Sequence, residues 1–91
     1  GTGTYYFNAR SVPLAREVQR GMVRRMGLRD LGINYDNLAV VRPTWMPSVL
    51  CEGAFVMIPE QEALLRTPEF QEAYALGVAD GLEAYFRRLA R

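Results

Sequence analysis

The 91-residue chain is 49% hydrophobic and 23% charged, the balance of a globular domain rather than a disordered segment. Its net charge of +1 gives no electrostatic footprint for nucleic acid or for a membrane surface. With no histidine and a single cysteine, Cys51, these residues exclude His-based acid–base chemistry, a His-ligated metal and an intrachain disulfide.

Thr4-Tyr5-Tyr6-Phe7 is β-branched and aromatic and reads as a first strand. Gly1 and Gly3 before it suggest a closely packed loop; GTGT lacks the Lys and spacing of a phosphate-binding P-loop. The abrupt strand-like start reads as a piece cut from a longer precursor. No stretch reads as a signal peptide or a transmembrane run, so no membrane insertion is expected. Ser11 as N-cap and Pro13 in the first turn open a helix, and Gly27 supplies a left-handed C-cap. Leu14, Val18, Met22 and Met26 recur every four residues as its buried stripe. Arg16, Arg20 and Arg24 fall on the opposite, solvated face.

Leu28 to Asn37 is rich in turn formers and reads as a loop. Leu38-Ala39-Val40-Val41 reads as a second buried strand, ended by Arg42. Pro43 and Pro47 then bar a ladder. Trp45 in that loop is either a substrate wall or a ring packed over the sheet edge.

Val49-Leu50-Cys51 is a short apolar run, the pattern of a strand buried on both faces of a parallel sheet. A thiol inside such a run is by default inert. Glu52 follows directly. A carboxylate is costly to bury unless it is paired or working, and ligands of open α/β sheets sit outside the carboxyl ends of the strands. Glu52 is thus either a catalytic or ligand-binding acid, or a strand-end residue that turns to solvent or pairs with an Arg. Pro59 opens a short helix with Ala63-Leu64-Leu65 buried. Thr67 and Pro68 then start a long helix whose Phe70, Tyr74, Val78, Leu82, Tyr85 and Leu89 keep a helical period. Gly77 and Gly81, one turn apart, suggest close packing of this helix on the sheet.

Three strands, two long helices and one short helix give an α/β chain, part of a doubly wound, mostly parallel sheet flanked by helices. The core is thin for so many apolar residues, which suits one portion of a larger domain.

The ordered set of motifs resembles the zinc-dependent N-acetylmuramoyl-L-alanine amidases of bacterial cell-wall lytic enzymes. That family has a TYY-type strand, an SxxLA helix start, a DxG turn, a strand of the LxVLR kind and a block PavLvExGFxSNPxxE. Matching residues are Thr4-Tyr5-Tyr6, Ser11 with Leu14-Ala15, Asp30 with Gly32, Leu38 through Arg42, and then Pro47 through Glu52, Phe55, Pro59 and Glu62. The family's Gly before Phe is Ala54 here, its SN pair is Met57-Ile58, and Gly3 stands where many members have Glu. The resemblance implies that residues 1–91 form the C-terminal portion of one amidase catalytic domain, with an N-terminal zinc-binding portion outside them. It implies a peptidoglycan substrate, a periplasmic or extracellular cell-wall setting, and Zn²⁺ in the parent enzyme held by His and Glu residues upstream, none bound by this chain alone. Glu52 aligns with the family's catalytic carboxylate. From its position at the end of the neighbouring expected strand, Arg42 either orients substrate or Glu52 or makes a structural ion pair, and Trp45 is the candidate substrate wall. The isolated chain is expected to be inactive, and to self-associate or pair with the N-terminal half through its raw sheet edge. The alternative is a non-catalytic α/β module that binds a partner or completes another chain's sheet.

Overall fold

β-branched and aromatic residues at the start of the chain form strand β1 (Thr2–Tyr6) in a computed structural model that describes Gly1–Arg91. A 3-10 turn at Ala9–Ser11 leads into helix α1 (Val12–Met26). Strand β2 (Asp30–Tyr35) and a 3-10 turn at Ala39–Val41 follow, then strand β3 (Leu50–Glu52), helix α2 (Pro59–Leu65) and helix α3 (Pro68–Leu89). The strand order is β2-β1-β3. β1 runs parallel to β2, joined by α1 as a βαβ unit, and antiparallel to β3.

One strand and one loop assignment made from sequence are overturned. Leu38–Val41 is not a strand: Val41 is buried as an anchor, but the segment curls into a turn, and the Asn8 side chain takes up the carbonyls of Arg42 and Pro43 beyond it. The second strand lies instead in the stretch read as a loop. Its turn-like residues make a bulge inside β2. Gly32 adopts φ +74°, the Asp30 carboxylate accepts the Gly32 N–H at 2.8 Å, and the register slips between Thr2↔Asp30 and Thr4↔Ile33. The chain is α/β as expected, with one parallel and one antiparallel pairing in its three-stranded, mixed sheet.

Side chains alternate across β1, so Thr2 and Thr4 face α1 while Gly3 and Tyr5 face the other way. Pairing carries the alternation across: Cys51, opposite Thr4, packs against the core, and Glu52 and Leu50, opposite Gly3 and Tyr5, share the other face. Both long helices lie on the Thr2/Thr4 face, so the chain presents its long helices on one side of the sheet. Its core is Leu14, Val18, Met22 and Met26 of α1 with Phe70 and Tyr85 of α3. The four-residue stripe of α1 is thus the core stripe.

α3 reaches α1 through glycines. A Cβ at Gly77 would lie 2.7 Å from Met22 Cα, and one at Gly81 would meet the Val18 backbone. The close packing compensates the weak helix propensity of glycine, but against α1 rather than the sheet. This seam turns Leu82 and Leu89 outward, at 38% and 62% exposure. α2 buries none of its residues, so Ala63 and Leu64 are exposed and Leu65 only half-buried, against the expectation of a buried face. Gly27 caps α1 at φ +74°, and Thr67 caps α3 by accepting the Phe70 N–H at 3.2 Å. Ser11 makes no cap; its hydroxyl accepts the Ser48 N–H at 2.9 Å and ties the helix start to the approach to β3.

Candidate active site

The backbone around Glu52 is fixed from three directions. Glu52 pairs with Gly3 at the amino end of β1. The Thr2 hydroxyl donates to the Gly53 carbonyl at 2.7 Å, buried. From α3, the Tyr74 hydroxyl donates to the Cys51 carbonyl and accepts the Gly53 N–H, both at 3.0 Å. Beyond Gly53 the chain turns outward, and the Gln61 side chain accepts the Phe55 N–H at 2.9 Å, tying the loop to α2.

The Glu52 carboxylate, half-buried, takes part in no ion pair and no hydrogen bond within the chain. It does not turn to an Arg. Glu52 is one of the residues that border a hollow of about 530 Å³ lined mainly by apolar groups, among them Ala54, Phe55, Val56 and Leu65. Val56 and Met57 on its rim are 66% and 82% exposed. Burial pushes the Cys51 thiol above its ordinary pKa, so it stays protonated and is a poor nucleophile, in line with its reading as inert.

Arg42 and Trp45 are not brought to Glu52. Because β3 runs antiparallel to β1, Glu52 lies beside Gly3 at the amino end of β1, whereas Arg42 lies beside Asn8, past its carboxyl end. Five residues of extended chain separate these points by roughly 15 Å. The Arg42 guanidinium donates instead to the Asn37 side chain at 2.6 Å, so it does not orient Glu52. Trp45 is 78% exposed and does not pack over the sheet edge.

Two residues escaped the sequence reading. Gln19, 5% exposed, donates to the Thr2 carbonyl and to Asp30 at 2.7 Å each, and accepts the Thr4 hydroxyl at 2.8 Å. It locks α1 to β1 and to the bulge of β2; a polar residue on the flank of an apolar stripe was its only signal. Tyr74 was visible only as a member of the α3 period. The Arg16, Arg20 and Arg24 face borders a cleft of about 410 Å³ against Asp30 and Ile33, and Arg20 there pairs with Glu17.

The arrangement offers one free carboxylate, on a rigid strand end, beside an open apolar hollow. No three His, Cys, Asp or Glu side chains gather where they could hold a metal ion.

A family model described as N-acetylmuramoyl-L-alanine amidase matches residues 1–84. The N-acetylmuramoyl-L-alanine amidase LytC of Bacillus subtilis is 31% identical over 91 residues, covering 96% of this chain and 18% of LytC. The catalytic domain of CwlV, an N-acetylmuramoyl-L-alanine amidase from Bacillus (Paenibacillus) polymyxa, superposes with a TM-score of 0.90 at 38% identity. The match covers 96% of this chain and 49% of that structure. An N-acetylmuramoyl-L-alanine amidase from Clostridium difficile 630 gives the same TM-score, 0.90, at 32% identity, with 48% of its chain covered. The chain thus spans less than a fifth of LytC and about half of each solved domain. By its sequence and by its fold, this chain belongs to the N-acetylmuramoyl-L-alanine amidase family.

Proposed function

We propose that these residues supply the catalytic carboxylate of a peptidoglycan hydrolase that cleaves the amide between N-acetylmuramic acid and the L-alanine of the stem peptide. The observation that carries this reading is Glu52, an unpaired, half-buried carboxylate held at a strand end that borders an open hollow. A structural acid in that setting would be paired; an unpaired one is free to move a proton. Glu52 accepts a proton from the attacking water as the new C–O bond forms at the lactyl carbonyl. It returns that proton to the alanine nitrogen as the C–N bond breaks, leaving a carboxylic acid, which then ionises in water, and a free amine.

Zinc is the cofactor that family resemblance implies, and the residues of this chain do not fit a zinc site. There is no histidine, and no three potential ligands converge. The zinc ligands are therefore assigned to the other part of the catalytic domain, and residues 1–91 to its C-terminal portion. About half of each solved neighbour lies outside the match, which supports that division. So does the surface: only 18 of the 91 residues are buried, and the Gly3/Tyr5/Glu52 face of the sheet has no long helix over it. On this reading the isolated chain is inactive and pairs with the missing portion or with itself. The enzyme works at the cell wall, in the periplasm or outside the cell; no helix here is long and apolar enough to cross a membrane.

The test is release of stem peptides from purified peptidoglycan by the longest precursor of this chain, with zinc, with a chelator, and as Glu52→Gln. Zinc-dependent release that Glu52→Gln abolishes while metal binding survives is the expected result. No release from a folded, zinc-loaded precursor overturns the assignment.

A further inference from the structure

Tyr74 sits on α3, 22 residues beyond Glu52 in sequence, yet its hydroxyl bonds both peptide groups that flank Glu52. It donates to the carbonyl of Cys51 and accepts the N–H of Gly53, each at 3.0 Å. One atom therefore sets the backbone on either side of the acid. Gly53 is what lets the ring come so close: a Cβ there would lie 2.6 Å from Tyr74 Cζ and 2.7 Å from Cδ2. Gly53 has no need of glycine for its backbone angles, since the only positive-φ glycines are Gly27 and Gly32. Its small size serves this contact. The strand that carries Glu52 is only three residues long and ends at Glu52 itself, so the ladder cannot fix the residue after it.

We infer that Tyr74 is a positioning residue for Glu52: its hydroxyl, admitted by Gly53, holds the acid's backbone in the geometry needed for proton transfer. The inference rests on Glu52 being the catalytic acid. Tyr74 itself touches no reacting atom in this scheme. Burial raises its pKa, and the nearby Cys51 and Glu52 add to that rise against the opposing Gly53 hydrogen bond, so its hydroxyl stays protonated and able to donate. A proton-transfer group misplaced by about 1 Å loses on the order of 100-fold in rate, so a clamp at this point acts on turnover rather than on binding.

The experiment compares Tyr74→Phe, Thr67→Ala and Glu52→Gln in the zinc-loaded precursor, with kcat and KM taken per folded molecule. Thr67→Ala weakens the cap of the same helix without touching the Glu52 strand, and it reports what loss of stability alone does. Tyr74→Phe is expected to lower kcat by on the order of 10- to 100-fold with KM within about twofold, while Thr67→Ala leaves both near the parent values. If Glu52→Gln lowers activity and Tyr74→Phe keeps the parent kcat, the clamp is not a positioning device. If Glu52→Gln itself retains activity, the proposed role of Glu52 is wrong and this inference falls with it. Amide exchange on the unmutated protein gives a readout that does not depend on a variant folding. The Gly53 N–H should exchange far more slowly than those of exposed Val56 and Met57; exchange at the same rate would show that the hydroxyl does not hold it.

Discussion

The two faces of the small sheet differ in kind. On the helix face every polar group has a partner: Thr2, Thr4, Gln19 and Asp30 form one closed network, and glycines let α3 settle directly on the backbone of α1. On the other face Gly3, Tyr5, Leu50 and Glu52 stand without a long helix over them, and Glu52 has no partner at all. Buried, satisfied contacts are concentrated on the first face, and an unpaired carboxylate is left on the second. The lesson is that an unpaired acid is tolerated here because it is not enclosed, while the enclosed side tolerates nothing unpaired.

Substitutions graded by face can break that contrast. Gly81→Ala should have the largest effect, because a Cβ would be driven into the Val18 and Glu17 backbone; a loss of about 3 kcal/mol in urea denaturation is expected. A loss below about 1 kcal/mol would mean that the helices slide apart cheaply. Gln19→Leu should lose about 2 kcal/mol, since it strands the Thr2 carbonyl and removes the acceptor of Thr4. Adding Thr4→Val should recover part of that loss, and a strictly additive double variant would contradict the network. Thr67→Ala should lose about 1 kcal/mol through the missing cap.

A smaller effect is expected from pH. The hydrogen bond and charge of Arg25 hold the exposed Asp80 carboxyl below its usual range. The folded state therefore binds that proton less readily than the unfolded state. Its contribution is complete above the ordinary Asp value of about 4 and fades as pH falls through the depressed folded value. Asp80→Asn should flatten that part of the acid limb, and salt should shrink the difference. Glu52→Gln should be the smallest on stability, within about 0.5 kcal/mol, because no contact in the chain is lost. A larger loss in the isolated chain would show that the carboxylate is structural, and the contrast between the faces would fail.

The helices were legible, as were β1 and β3, and β2 was not, for local reasons. α1 carries its own boundaries in Pro13 and Gly27 and its own period in Leu14, Val18, Met22 and Met26. β2 hides behind Asp30, Gly32 and Asn34, residues that look like a turn because they build a bulge. Leu38–Val41 has strand composition but no strand to pair with, and composition alone cannot supply one. Glu52 could be singled out at a strand end because a charge ending an apolar run is a local signal. Its separation from Arg42 could not be foreseen, because the direction of β3 depends on a pairing with β1 nearly fifty residues away. Tyr74 and Gln19 act only across elements, and nothing near them in sequence marks that role.

The clamp on Gly53 has a consequence for the order in which the chain can be assembled. It joins Thr2 near the start, Gly53 past the middle and Tyr74 in the last helix. A ribosome emits these in that order, so the βαβ unit of β1, α1 and β2 can form early through contacts close in sequence and β3 can then pair with β1, whereas the Tyr74 bonds on either side of Glu52 must wait for α3. Until then the segment from Gly53 to Ile58 lacks its anchor on α3 and is the more open to proteases and to other nascent chains. The backbone on either side of Glu52 is thus locked only once α3 has been made and has docked, so the setting of that carboxylate is completed by a helix that follows it in the chain.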